Sequence, residues 1–334
     1  MIRFPAPLRP GDRIGVTSPS AGVQDHEAAR VDAAVRWLRD AGHDVVVGRV
    51  MDGAGITAGP AEDRAAELTA MLCDPTIRCV LPPWGGETAI DLVDLLDWDA
   101  LAAADPTWLV GYSDLSTLLV PLTTRLGWAT LHGDNLVETP YPAPDGLLGW
   151  RTLASGPGPH RQRDSGVVAA YPDPAAPATG WTTVGSGRWD LHGAERLDVT
   201  GRLIGGCVET MGPLAGTPYG DVAAFGRAHA EDGLVVYLET AGADAATVCR
   251  TLHGLRLAGW FTHARAVLVG RTHAPDHPRL SQREAVLDAL GRLGLPIVFD
   301  VEIGHVPPHL PLVNGALATV VVDGDTRALV QRLA

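Results

Sequence analysis

An α/β chain built on a doubly wound, mostly parallel sheet is the fold class that three observations predict. Short apolar runs alternate with stretches whose apolar residues recur every three or four positions. The runs end in loops that carry glycine or proline. The 334 residues, 46% hydrophobic and 19% charged, suffice for a large core in one large domain or two. Strands that alternate with helices pair in parallel, because each helix carries the chain back across the sheet.

In order, residues 13–17 read as a first strand and 18–22 as the loop at its carboxyl end. Residues 26–41 carry Ala, Val, Trp and Leu at helical intervals and stop at Gly42. A second strand spans 44–47, closed by Gly48, and 53–60 form a glycine-rich loop. Residues 61–72 predict a helix with Ala65, Leu68 and Leu72 on one face. A third strand, 78–81, runs into Pro82-Pro83-Trp84-Gly85-Gly86-Glu87, and a helix carrying Ile90, Leu92, Leu95 and Leu96 follows. Residues 108–119 read as strand, tight turn and helix, and 129–134 come after them. Ligands of such sheets sit at the carboxyl ends of the strands. The loops at 18–22, 84–87 and 111–114 all fall there.

The texture changes over 140–188, where Pro, Ala and Asp crowd around residues 171–177, as in a linker or long surface excursion. A second unit starts near Arg196. It predicts a strand into a tight turn at 201–206, a buried strand at 233–239 ending in a carboxylate, a helix at 243–257 and a strand at 264–270. A helix at 282–293, a strand at 296–300 leading to Gly304-His305, and a last edge strand at 317–322 complete it. The expected division is an N-terminal domain at 1–155, a linker at 156–195 and a smaller, strand-rich C-terminal domain at 196–334.

A formal net charge of −13 argues against nucleic acid or an anionic membrane as partner. Cys73, Cys79, Cys207 and Cys249 form no C-x-x-C pair, so a reducing cytoplasm is the expected setting. No apolar signal core opens the chain, and no stretch approaches the roughly 20 apolar residues of a membrane helix. No metal site is expected. His305 and His309 have Pro307 and Pro308 between them, His273 and His277 have Pro275, and no His-Glu-x-x-His occurs. A Walker-type phosphate loop is also missing.

The chemistry is concentrated at Gly111-Tyr112-Ser113-Asp114. A serine on a strand-to-helix turn projects its hydroxyl from the sheet edge, beside backbone amides at a helix N-terminus. An acyl-transfer nucleophile needs both features. An ordinary helix N-cap serine fits the same residues. A serine nucleophile also needs a base and an orienting carboxylate. His305, held between Gly304 and Pro307, is a candidate base or a surface-loop histidine. Glu239, closing its apolar strand, is a candidate carboxylate or a solvated strand end. Gly85-Gly86 can bring a backbone amide close to an acyl group, or can be a plain turn.

Assembled in order, these segments resemble the LD-carboxypeptidase family of serine peptidases, the group that includes the microcin C immunity peptidase. Residues 8–15, Trp84-Gly85-Gly86, the 111–114 turn, Gly201-Arg202-Leu203-Ile204-Gly205-Gly206, residues 216–219, Tyr237-Leu238-Glu239 and Gly304-His305 carry the resemblance. It implies a Ser-His-Glu triad of Ser113, His305 and Glu239. The backbone amides of Gly86 and Asp114 would be the oxyanion donors, and the site would lie between the two domains. It further implies a cytoplasmic homodimer without a cofactor, acting on muropeptides that end in a D-residue on an L-centre. The chain departs from the family's usual pattern at Glu87-Thr88, at Cys207 and at Asp134-Asn135, which bears on substrate. Trp84, Trp189 and Arg271 are candidate substrate contacts. Trp189 is either a stacking surface for a nucleotide-like substrate or a packing residue, and Arg271 either a carboxylate clamp or a surface arginine. A peptidyl-nucleotide peptidase and a non-catalytic small-peptide binding module are the alternatives to a murein enzyme.

Overall fold

The computed structural model describes residues 1–172 and 180–333; the Pro- and Ala-rich 173–179 stretch of the expected excursion lies outside them. The first half runs β1 (Arg13–Val16), α1 (Ala28–Asp40), β2 (Asp44–Val47), α2 (Ala61–Cys73), β3 (Ile77–Val80), α3 (Trp98–Ala103), β4 (Trp108–Gly111), α4 (Ser116–Leu126), β5 (Thr130–His132) and α5 (Trp150–Ala154). The second half holds β6 (His160–Arg163), β7 (Val167–Ala170), β8 (Thr182–Ser186), β9 (Asp190–His192), β10 (Leu197–Cys207), α6 (Val208–Met211), α7 (Val222–His229), β11 (Leu234–Glu239), α8 (Ala245–Leu257), β12 (Ala264–Gly270), α9 (Gln282–Leu290), β13 (Ile297–Val301), β14 (Leu312–Asn314), β15 (Leu317–Asp323) and β16 (Thr326–Arg332).

The first sheet has the order β14-β5-β4-β3-β1-β2. Its strands β1 to β5 pair in parallel, as the βα alternation predicts. All four residues of β4 are buried, which is why that strand reads as an unbroken apolar run. The second sheet has the order β6-β16-β15-β10-β11-β12-β13-β9. Its centre, β10 to β13, is parallel, and antiparallel strands flank it on both sides.

α4 lies between the sheets and is buried from Ser116 through Thr123. A helix that is apolar all round belongs in such a place. Leu118, Leu119 and Leu122 are fully buried, each contributing about 1.5–3 kcal/mol relative to exposure.

The structure corrects four segment expectations. The helix through Ile90 and Leu96 is a short 3-10 turn, Ala89–Leu92. The Asp97 carboxylate accepts from Ala100 N and starts α3 afresh, so the periodic leucines do not continue one helix. The turn expected at 201–206 is the interior of the 11-residue strand β10. Its glycines mark close approach rather than a bend: a Cβ on Gly206 would stand 2.7 Å from Ser116 Cβ. The strand over 317–322 is interior, because β16 pairs along its outer side. Finally, the expected linker is partly woven into the second sheet. β6 and β9 form its two edges, and β7 and β8 make a separate hairpin.

The halves are tied by β14, which follows the second sheet's strands β10 to β13 in sequence but pairs antiparallel with β5 of the first. Cys207 N–H also donates to Ser116 Oγ at 3.1 Å, joining the end of β10 to the start of α4. Among the described residues no helix is long and apolar enough to cross a membrane.

Candidate active site

β4 ends at Gly111 and a 3-10 turn, Ser113–Leu115, leads into α4. Ser113 sits in this turn at φ 65°, one of only two non-glycine residues with positive φ among those described. The left-handed region is unfavourable for a side chain by about 1–3 kcal/mol, and the surroundings hold it there. The clamp is Asp114. Its buried carboxylate accepts from Ser20 Oγ at 2.5 Å, from Ala89 N at 2.7 Å and from Thr117 Oγ1 at 3.4 Å. One side chain therefore gathers the loop after β1, the loop after β3 and the first turn of α4. The sequence reading used only the backbone of Asp114. An acidic residue next to the turn serine was the available signal.

Gly85 packs directly against the serine turn. A Cβ there would stand 2.9 Å from Ser113 Cβ and 3.0 Å from Asp114 N, so no larger residue fits without displacing the turn. Gly86, at φ 153°, faces Ser20 and Ala21 just as closely.

The second half supplies the other groups. Glu239 ends β11 and is fully buried; His305 follows β13 in a loop. Gly304, at φ 88°, lets that loop lie over the carboxylate, since a Cβ there would fall 2.5 Å from Glu239 Cβ. His305 Nε2 stands 2.9 Å from Ser113 Oγ, and its Nδ1 stands 2.7 Å from Glu239 Oε2. With an ionised carboxylate on Nδ1, that nitrogen carries the proton and Nε2 is free to accept from the serine.

Burial alone would push the Glu239 carboxyl up, but the nearby His305 and its hydrogen bond prevail and hold it well below the usual carboxylate range. Burial lowers the pKa of His305, but the charges of Glu239, Glu209 and Glu138 and the hydrogen bond to Glu239 together raise it above its ordinary value. The other oxygen, Glu239 Oε1, faces His132 Nε2 at 3.9 Å, beyond hydrogen-bond length. Burial lowers the pKa of His132 and favours its neutral form. The sequence reading gave His132 no role, because only the fold brings the end of β5 under Glu239.

A second carboxylate–histidine pair lies alongside. His309 Nδ1 meets Asp134 Oδ1 at 2.5 Å, and its Nε2 stands 3.3 Å from Tyr171 OH. Tyr171 OH pairs with Tyr112 OH at 2.7 Å, and the Tyr112 ring packs edgewise on His305 with centroids 5.1 Å apart. Asp134, one of the family departures, thus has a partner that sequence spacing did not reveal.

Ser113, Asp114, Gly86 and His305 line one cavity of about 570 Å³, which also reaches Cys207 and Glu209. The remaining candidates do not line it. Trp84 is half-buried and packs against the main core. Trp189 is buried, and its indole N–H donates to Glu302 Oε2. It is a packing residue, not a stacking surface. Arg271 is neither a surface arginine nor a free clamp. It is buried, donates to Val167 O at 2.5 Å, and lies 3.3 Å from Glu302 and 3.8 Å from Asp164. Glu302 also accepts from Ser165 N and Oγ at 2.9 and 2.8 Å, so Trp189 and Arg271 serve a buried carboxylate. Among the described residues the one group with metal-ligand geometry is Cys249, His253 and Asp288, where α8 meets α9 and outside this cavity.

The chain is similar to known proteins over nearly its whole length. The family model for the LD-carboxypeptidase N-terminal domain matches residues 14–133, and that for the C-terminal domain matches 200–320. A Streptomyces coelicolor protein named "Putative carboxypeptidase" is 32% identical over 97% of this chain and 94% of its own. The murein tetrapeptide carboxypeptidase of Pseudomonas aeruginosa is 27% identical over 95% of this chain and 92% of its own. The microcin C7 self-immunity protein MccF of Escherichia coli is 23% identical over 98% and 95% of the two chains. A structure of MccF with aspartyl sulfamoyl adenosine shares the fold, with a TM-score of 0.77 at 21% identity over 99% and 98% of the chains.

Proposed function

The chain belongs to the LD-carboxypeptidase family, a group of serine carboxypeptidases, and on that premise we propose that Ser113 is its nucleophile, His305 its base and Glu239 the carboxylate that orients the base. The observation that carries this reading is the run from Ser113 Oγ through His305 to Glu239, at 2.9 and 2.7 Å.

As Ser113 Oγ bonds to the scissile carbonyl carbon, its proton passes to His305 Nε2. The carbonyl oxygen becomes an oxyanion facing the amides of Gly86 and Asp114. The C–N bond then breaks, and His305 returns the proton to the leaving amine. A water gives a proton to His305 and its oxygen to the acyl carbon; the ester breaks and Ser113 recovers its proton. Glu239 stabilises the imidazolium at both stages without taking the proton itself.

The substrate we infer is a murein-type peptide whose last residue is a D-amino acid on an L-centre. The name of the Pseudomonas aeruginosa relative supports it. The test is turnover of such a tetrapeptide by the parent and by Ser113→Ala. Parent-level cleavage by the variant would end the assignment.

A second reading, an aminoacyl- or peptidyl-nucleotide substrate, rests on the rings beside the site. Trp181 lies 4.8 Å from Tyr141, 5.2 Å from His309 and 5.5 Å from Tyr171, centroid to centroid. The ligand in the MccF structure is of this kind. Turnover of an aminoacyl sulfamoyl nucleotide against the tetrapeptide separates the two. Both readings keep the expected homodimer and the expected cytoplasmic setting, the latter supported by four free cysteines.

A further inference from the structure

A carboxypeptidase site would ordinarily pair a substrate carboxylate with a cation. Among the described residues, none that lines the Ser113 cavity is lysine or arginine. Arg271, the candidate from sequence, is engaged with Glu302 elsewhere. The cavity instead presents Glu87 and Glu209.

Glu209 is a fixed group. Its Oε1 accepts from three consecutive backbone amides, Ala241 N at 2.9 Å, Gly242 N at 3.0 Å and Ala243 N at 2.9 Å. Its Oε2 accepts from the Cys207 thiol at 3.3 Å. Every one of these partners is a donor. Burial raises the Cys207 thiol well above its ordinary range, which keeps that donor protonated. Among the described residues Oε2 has the thiol as its one hydrogen-bond partner while Oε1 has three, so Oε2 is the oxygen with room for a further donor. The amides come from the segment just after Glu239, so the carboxylate has a set position relative to the triad.

We propose that Glu209 determines specificity at this site by selecting substrates with an ammonium or guanidinium group on a residue that flanks the scissile amide. The proposal rests on the triad reading, because it takes the Ser113 cavity as the substrate site. A preorganised carboxylate attracts a cation without reorganising when the cation arrives, and repels a second carboxylate in the same space. Selectivity here therefore has both an attractive and a repulsive part.

The test uses matched tetrapeptides ending in a D-residue. One series varies the residue before the scissile bond among lysine, norleucine and glutamate; the other varies the residue after it in the same way. We expect the lysine form to lead in kcat/KM by about tenfold or more over norleucine in one series, with glutamate lowest. Tenfold corresponds to about 1.4 kcal/mol, which one charge-assisted hydrogen bond supplies. Glu209→Gln keeps an oxygen for the three amides but loses the charge, and the lead should fall below about threefold. Equal rates within twofold in both series, or an unchanged lead in Glu209→Gln, would overturn the proposal. If no peptide turns over, the triad reading fails first. Binding of the same peptides to Ser113→Ala by calorimetry then decides: a lysine preference supports Glu209, and its absence refutes it. That measurement also decides if Glu209→Gln does not fold.

Discussion

Two histidines near the site have nearly the same covering partner and different surroundings. His305 holds Glu239 on Nδ1 at 2.7 Å, and His309 holds Asp134 on Nδ1 at 2.5 Å. On the far nitrogen, His305 meets the hydroxyl of Ser113 at 2.9 Å, while His309 meets the phenol of Tyr171 at 3.3 Å. The His305 side chain is 24% exposed and lines the cavity; that of His309 is 4% exposed and does not. A carboxylate–histidine pair is therefore only a polarised base. The third partner and the access of a substrate carbonyl decide whether it can do acyl chemistry. Ser113 has both, on a turn whose left-handed backbone exposes Oγ. Tyr171 has neither: its phenol is paired with that of Tyr112 at 2.7 Å and does not line the cavity.

The sharpest way to break this contrast is to remove both hydroxyls in turn. Ser113→Ala should lose about 10³-fold or more in kcat with its melting temperature nearly unchanged, whereas Tyr171→Phe should stay within about threefold. Steady-state rates with a thermal melt check both. Next come the partners of His305. Glu239→Ala and His305→Ala should each lose about 10²–10⁴-fold, and the double variant should lose little more than the worse single one, because the residues act as a unit. Additive losses would mean that the pair does not work on one proton.

The pH profile sharpens the comparison further. The base must be neutral to accept a proton, so kcat/KM falls as pH drops through the His305 pKa, which Glu239, with Glu209 and Glu138, raises above its ordinary value. In Glu239→Gln its raising charge is gone while burial remains, so the acid limb should move to lower pH. A limb that stays in place would assign it to another group. A small effect on rate is also expected of the second pair. Asp134→Asn and His309→Ala should destabilise by about 1–3 kcal/mol in urea and change kcat by less than about fivefold.

Much of the site was legible from local signals. The turn serine, the strand-end Glu239 and the glycine-flanked His305 each stand where a strand ends. Gly85 and Gly86 stood out because glycine there can only mean a turn or a close approach, and the packing against Ser113 is the latter. Arg271 and Trp189 misled because their partner, the buried Glu302, lies 31 and 113 residues away in sequence. Glu209 was missed for a like reason, since its charge is read by amides more than 30 residues on. The helix expected through Leu96 failed because periodicity does not weigh a competing cap, and Asp97 supplies one.

Composition and periodicity by themselves determined the α/β class, the parallel strands of the first sheet and the loops at their carboxyl ends. Those depend on which residues each short segment must bury, and burial alternates at a period set by local backbone geometry. Only the tertiary structure decided that His305 reaches Ser113 across 192 residues and Glu239 across 66, and that His309 next to it does not. Contacts of that separation depend on the packing of two sheets about α4, and a hydrogen bond tolerates only a few tenths of an ångström, which no local pattern encodes.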